Sequence, residues 1–431
     1  MLKRKIGDEL VVWKNSPNKK CLIIEGARQV GKTYIIKHFA EQNYENFVEL
    51  NFVSTPSLCK IFDGDLNIET ILANISLYSA FGDNLKPYKT LIFLDEIQAC
   101  ANARTALKFF ALDGRFDVIS SGSMLGISYS KVASYPTGYV EFLQMHPLTF
   151  EEFLWANGVS DHIISILKDC FDNREKVNDA MNDKMLELFK RYIVVGGMPD
   201  IVNSFVTEHN YATVLKMQRN IVKDYENDIA KYAESGEKVK SKACFRSVPA
   251  QLAKENKKFM YGVVEKNSKS SKYLGSINWL VDAGIVTICK NLSALDLPLV
   301  GYSDDNNFKI YMNDTGLLVS MLDDGTTAQI IDGNLGIYKG AIFENVIAQI
   351  LSSHDIPLYF FNRNNTLELD FVLAKNASVF PVEVKAANTK AKSLRTILNE
   401  NSDMRGIKLV DGNVGENDRL TTYPLYMAMF L

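Results

Sequence analysis

Cysteine is scarce and unpatterned. The six residues, at positions 21, 59, 100, 170, 244 and 289, contain no Cys-x-x-Cys pair. That spacing argues against a zinc site or a disulfide framework and favours a reducing compartment. Long apolar runs are also missing: no stretch of about 18 apolar residues occurs, so no transmembrane helix is expected. The opening MLKRKIGDELVVWKN is basic but lacks the apolar segment of a signal peptide. No strong charge of either sign is present, the formal net charge being −3, so any nucleic-acid surface has to be local. With 47% hydrophobic and 23% charged residues, these absences leave a soluble, cytoplasmic protein. A length of 431 residues suggests roughly two to four domains.

What is present starts with GARQVGKT at 26–33, which follows the apolar run Cys21–Ile24 and precedes a helical pattern over Tyr34–Gln42. This is GxxxxGK[ST] in its required setting of strand, glycine-containing loop and helix N-terminus. Gly26 and Gly31 let the backbone turn its N–H groups toward phosphate. The expected nucleotide-binding set is Gly26, Ala27, Arg28, Gln29, Val30, Gly31, Lys32, Thr33 and Tyr34. Lys32 would reach the β- and γ-phosphates of ATP, and Thr33 would carry Mg²⁺.

A second stretch, TLIFLDE at 90–96, is an apolar strand ending in two carboxylates. Asp95 fits the Walker B position that holds Mg²⁺, and Glu96 fits a general base for the attacking water. Strands and helices alternate through the first 150 residues, which implies a parallel sheet with helices on both faces. SSGS at 120–123 ends one of those strands, where open α/β sheets place ligand contacts. Ser121 is the better candidate for sensing the γ-phosphate, with Ser123 as the alternative. The spacing Thr149-x-x-Glu152 predicts a capping box opening the next helix.

Residues 151–232 read as mostly helical, broken by VVGGMPD at 194–200, for which a helix–helix turn is the plain reading. Residues 231–273 hold ten lysines and Arg246 against four glutamates. A helix at Ala243–Glu255, a second at Ser271–Ala283 and an alternating stretch at Gly284–Leu292 follow the order of a winged helix-turn-helix. Lys266, Lys269 and Lys272 would then lie where phosphate contacts are made; the alternative is a solvated face on a packing domain.

The C-terminal part carries another constellation. A helix over Tyr338–Leu351 contains Glu344; LELDFVLA follows with Asp370 in a strand, and VFPVEVKAA with Glu383 and Lys385 on one face of the next. A hairpin turning at Lys375–Ala377 would let Asp370 and Glu383 converge on a divalent ion, with Lys385 beside them and Glu344 adding a carboxylate. Charges inside apolar strands are expensive unless they meet a metal or each other, which favours a nuclease-type fold over a solvent-facing pair. Lys390, Lys392 and Arg395 follow on a basic helix that could touch a phosphate backbone.

These segments, with PLTFEEF, VGGMPD, WLVDAGIV, NDTGLL and GAIFENVIAQIL, resemble a large prokaryotic family of uncharacterised AAA+-like ATPases over nearly the whole chain. The resemblance implies an α/β fold: a P-loop NTPase core at 1–150, a helical region at 151–232, a winged helix at 233–300 and a domain similar to PD-(D/E)xK, restriction-endonuclease-like nucleases at 301–431. It also implies Glu344, Asp370, Glu383 and Lys385 as a set. The chain departs from the pattern at Gly138-Tyr139, where Gly-Arg is usual, which leaves Arg28, Arg104 and Arg115 as candidate γ-phosphate arginines. A monomer, a dimer and a ring are all compatible with it. The expected activity is Mg²⁺-dependent ATP hydrolysis coupled to a nuclease-like domain acting on or holding DNA. The alternatives are a nucleotide switch whose nuclease fold is a docking platform, or a chaperone-like regulator.

Overall fold

The computed structural model describes residues 2–78, 85–122, 136–233, 236–254, 257–266, 272–333, 339–364, 366–386 and 390–431. Ser123 and Lys269 lie outside them. The chain divides into two compact units, one from Lys3–His146 and Asp282–Gly284, the other from Pro147–Val281 and Ile285–Leu431.

The first unit is built on five strands: β1 (Cys21–Glu25), β2 (Asn46–Asn51), β3 (Thr90–Asp95), β4 (Asp117–Gly122) and β5 (Val140–Gln144). They pair in the order β2-β3-β4-β1-β5, all parallel. Side chains alternate across a strand, and here both sides are buried. Leu22, Ile24, Leu91 and Phe93 pack on one face with Ile6, Leu10 and Trp13 of helix Lys5–Asn15 and with Ile36 and Phe39 of helix Lys32–Asn43. Ile23, Val48, Leu50, Ile92 and Leu94 pack on the other with helices Ile68–Tyr78 and Ala101–Asp113. This is the parallel sheet flanked by helices of a P-loop NTPase core. The carboxyl ends of β1, β2, β3 and β4 therefore share one edge, which positions the site.

The second unit contains β6 (Val286–Leu292), β7 (Ser303–Met312), β8 (Tyr359–Arg363), β9 (Leu367–Leu369), β10 (Phe371–Lys375), β11 (Ser378–Lys385), β12 (Gly406–Val410), β13 (Gly415–Asn417) and β14 (Leu420–Pro424). They form two sheets, β7-β6-β8-β9 and β10-β11-β12-β14-β13. The capping box at Thr149 is present, with Thr149 and Glu152 exchanging side-chain to backbone bonds.

Two sequence expectations change here. The stretch read as a hairpin arm or wing is β6, which pairs antiparallel with β7 as a hairpin arm would but also pairs in parallel with β8. It is thus an interior strand of a four-stranded sheet. The predicted single strand LELDFVLA breaks at Asp370: β9 pairs with β8, β10 pairs with β11, and Asp370 stands between them where the chain changes sheets. Alternating apolar residues on both sides hid that corner. The helical, winged-helix and nuclease-like regions expected in sequence share one compact unit.

The break at VVGGMPD has a packing cause. Asp314 accepts from Gly197 N at 2.6 Å with one oxygen and from Leu317 N at 2.9 Å with the other. Gly196 has φ 74°, and a Cβ there would lie 2.3 Å from Asp314 Oδ1. A Cβ on Gly197 would lie 2.3 Å from the Leu148 carbonyl, whose own N–H bonds Gly197 O at 2.6 Å. VGGMP and NDTG are two halves of one clasp.

Candidate functional site

Gly26 leaves β1 with φ 150°, and a Cβ on it would sit 2.2 Å from the Met145 carbonyl at the end of β5. Only glycine allows that approach. Gly31, at φ 94°, is the N-cap of helix Lys32–Asn43. Between them Ala27 and Val30 are buried, Arg28 is partly buried, and Gln29 is exposed with φ 64°. Tyr34 is exposed and stacks on His38. Lys32 is buried under the loop, its Nζ donating to the carbonyls of Gly26 (2.9 Å) and Ala27 (2.7 Å). Burial pushes its pKa down to about 8 against the pull of Glu96 and Asp95.

Asp95 is the hub of the strand ends. Thr33 Oγ1 donates to it at 3.2 Å, Asn51 Nδ2 at 2.8 Å and Glu96 N at 3.1 Å, and the Ser121 hydroxyl donates to Oδ1. Four donors thus converge on one buried carboxylate. Glu96 follows in the left-handed region, φ 54°, and its carboxylate accepts from Gln98 Nε2. Lys32, Thr33, Asp95, Glu96 and Ser121 thus lie together at the strand ends. Of the candidate arginines, Arg28 lies on the loop, Arg104 is buried in its helix, and Arg115 is tied to Asp113 and Glu69.

Three residues here escaped sequence reasoning. Asn51 ends β2, and Gln98 lies two residues beyond the Walker B pair. Arg4 braces the loop from the N-terminal segment, donating to Val30 O at 3.1 Å and His146 O at 2.7 Å. A polar residue closing an apolar strand was the available signal for Asn51.

In the second unit, Glu344, Asp370, Glu383 and Lys385 lie near one another, but each has a protein partner. Glu344 is paired with Lys257, lies 3.7 Å from Lys309, and accepts from Tyr311 at 3.2 Å. Lys309 is fully buried and also meets Glu368 at 2.6 Å. Burial works against the charge on Glu344, yet Lys257 and Lys309 hold its pKa below the ordinary range. Asp370 accepts from Val384 N at 2.7 Å, and burial together with the Glu344 charge raises its pKa. Glu383 binds Lys385 at 2.6 Å and accepts from Leu394 N at 3.3 Å. Among the described residues no group of three or more His, Cys, Asp or Glu is arranged to hold a metal ion. Five cations of the basic stretch, Lys240, Lys242, Arg246, Lys257 and Lys272, are in ion pairs. No helix of the described residues is long and apolar enough to cross a membrane.

Comparison with known proteins finds a family match over the residues of the first site. Residues 18–154 match a family model described as an AAA domain. Residues 186–328 and 339–426 match two models described as domains of unknown function. A search of curated proteins returns no match. Among solved structures, the chain is similar to a Walker-type ATPase of Pyrococcus abyssi at 10% identity and TM-score 0.43, covering 74% of this chain and 96% of that one. It is also similar to the Aeropyrum pernix ORC1 protein in complex with DNA at 11% identity and TM-score 0.28, covering 76% and 92%. Cdc6p from Pyrobaculum aerophilum aligns at 14% identity and TM-score 0.25, covering 77% and 93%. Residues 18–154 are an AAA+-like P-loop ATPase domain.

Proposed function

We propose that the chain binds ATP with Mg²⁺ on the 26–33 loop, hydrolyses it, and uses the nucleotide state to switch a non-catalytic docking platform at 147–431. The observation that carries the first part is the gathering of Thr33, Asn51 and Ser121 on Asp95 beside buried Lys32. The residues fit the ligand: a loop that excludes a Cβ at 26, a buried ammonium and a buried carboxylate next to a hydroxyl. Thr33 and Asp95 would hold Mg²⁺, which supplies charge neutralisation on the phosphate oxygens. Lys32 is drawn from the carbonyls of Gly26 and Ala27 toward phosphate, Ser121 reports on the γ-phosphate through Asp95, and Glu96 takes a proton from water.

The platform reading rests on Glu344. Two lysines and a tyrosine already satisfy it, so its carboxylate is committed to holding the unit together. A second reading, cleavage of DNA at Asp370, Glu383 and Lys385, is favoured by Lys385, whose ammonium lies in the field of both carboxylates. One assay separates them. ATP hydrolysis and cleavage of labelled single- and double-stranded DNA are measured with Mg²⁺ or Mn²⁺ for the natural chain, Lys32→Ala and Asp370→Ala. The expected result is hydrolysis lost in Lys32→Ala and no cleavage. Cleavage that disappears in Asp370→Ala establishes the nuclease and overturns the platform.

A further inference from the structure

We propose that Gln98 is the positioning residue for Glu96, holding one carboxylate oxygen so that the other faces the nucleotide. This rests on the reading of Glu96 as the base. Residues two apart do not face each other on a helix, so a contact between 96 and 98 beyond the end of β3 needs its own backbone turn. Glu96 provides it: at φ 54° and ψ 45° it is the N-cap of a single 3-10 turn, Ile97–Ala99. Ala99 N closes the turn onto Glu96 O at 2.9 Å, and Ile97 is wholly buried beneath it. The backbone is pinned, but a glutamate keeps three rotatable bonds, and among the described residues no backbone group binds its carboxylate.

Gln98 Nε2 fills that role by donating to Glu96 Oε2. Its orientation follows from charge, since only the NH₂ end of an amide can face a carboxylate. The other end records the consequence: Gln98 Oε1 is buried with no hydrogen-bond partner among the described residues. An amide placed for packing alone would be turned to satisfy its oxygen, whereas this one is turned to serve Glu96. Holding one oxygen of a base while the other stays open to water is the kind of orientation on which attack geometry depends.

The test uses the full chain with Gln98→Met, which keeps the length and removes the donor, Gln98→Lys, which restores an N–H donor, and Glu96→Ala. Turnover is measured beside the affinity for a fluorescent ATP analogue. In Gln98→Met, kcat is expected to fall roughly ten- to hundredfold with affinity unchanged to about twofold, and Gln98→Lys to regain most of the loss. The proposal is overturned if Gln98→Met keeps its kcat, if affinity falls in step with kcat, or if the lysine variant does no better than the methionine one. A natural chain without turnover, or a Glu96→Ala variant that retains it, overturns the reading of Glu96 and this inference with it. Loss in Glu96→Ala with full activity in Gln98→Met overturns this inference alone.

Discussion

Asn51 and Asp95 are register partners on neighbouring parallel strands, and the Asn51 amide donates to Asp95 Oδ2 at 2.8 Å. Asn51 is itself fixed, because its Oδ1 accepts from Val53 N at 3.1 Å and Ser54 N at 2.8 Å. A hydrogen bond to a charged group contributes about 1.5–3 kcal/mol. Asn51→Ala is therefore expected to weaken nucleotide binding in Mg²⁺ roughly ten- to hundredfold, while binding in EDTA stays unchanged. Titration with a fluorescent ATP analogue under both conditions checks it. An equal loss in EDTA would mean that Asn51 shapes the loop and not the metal carboxylate.

Two glycines in the first unit should respond in opposite directions. Gly26→Ala drives a Cβ to 2.2 Å from the Met145 carbonyl and should destabilise the unit by about 3 kcal/mol, with loss of nucleotide binding. Gly7 lies inside helix Lys5–Asn15 with open space where its Cβ would go. Gly7→Ala should stabilise the helix by about 0.5–1 kcal/mol. Urea unfolding of the two variants provides the comparison.

Asp314 makes stability depend on pH. Burial raises its pKa to about 6 in the folded chain from an ordinary value of 3.8, although the N–H groups of Gly197, Leu317 and Gly316 oppose the shift. A raised folded pKa means that the folded state holds the extra proton, so its contribution is full below about pH 4 and is lost as pH rises to about 6. Asp314→Asn removes this slope. It also presents an NH₂ group to a backbone donor, so at neutral pH it should cost about 1–3 kcal/mol. Denaturation curves of both chains at pH 4, 5, 6 and 7 decide it; parallel slopes would exclude Asp314 as the source.

Lys309 is the cation that the acidic cluster cannot spare. Lys309→Met takes the buried ammonium from Glu368, leaves Glu344 with Lys257 alone, and should destabilise the second unit by about 3–5 kcal/mol. Adding Glu344→Gln should recover part of that loss. A double variant no more stable than Lys309→Met would show that the pair is not the source of the cost.

The sequence made the first site legible because its signals are local: a loop of eight residues, a strand with its two terminal carboxylates, and the strand–helix alternation around them. Asn51 was hidden because its role depends on β2 lying next to β3, an ordering that no single stretch encodes. Gln98 depends on the left-handed turn at Glu96. In the second unit, NNFKIYM reads as an ordinary alternating strand, and the partner of Lys309 at Glu368 is 59 residues away. Asp370, Glu383 and Lys385 were found by their spacing. The lysines already occupying Glu344 come from elements outside that motif.

The clasp at Asp314 bears on how the protein can be dissected. A fragment stopped after residue 232 keeps Gly196 and Gly197 but not the carboxylate that receives the Gly197 N–H, and a fragment begun at 233 keeps the carboxylate without the glycines. Each piece exposes backbone that the intact chain hides. Co-expressed, the two pieces have a shared surface through which to reassemble, so residues 147–431 should behave as a complementing split pair and not as two domains that fold alone.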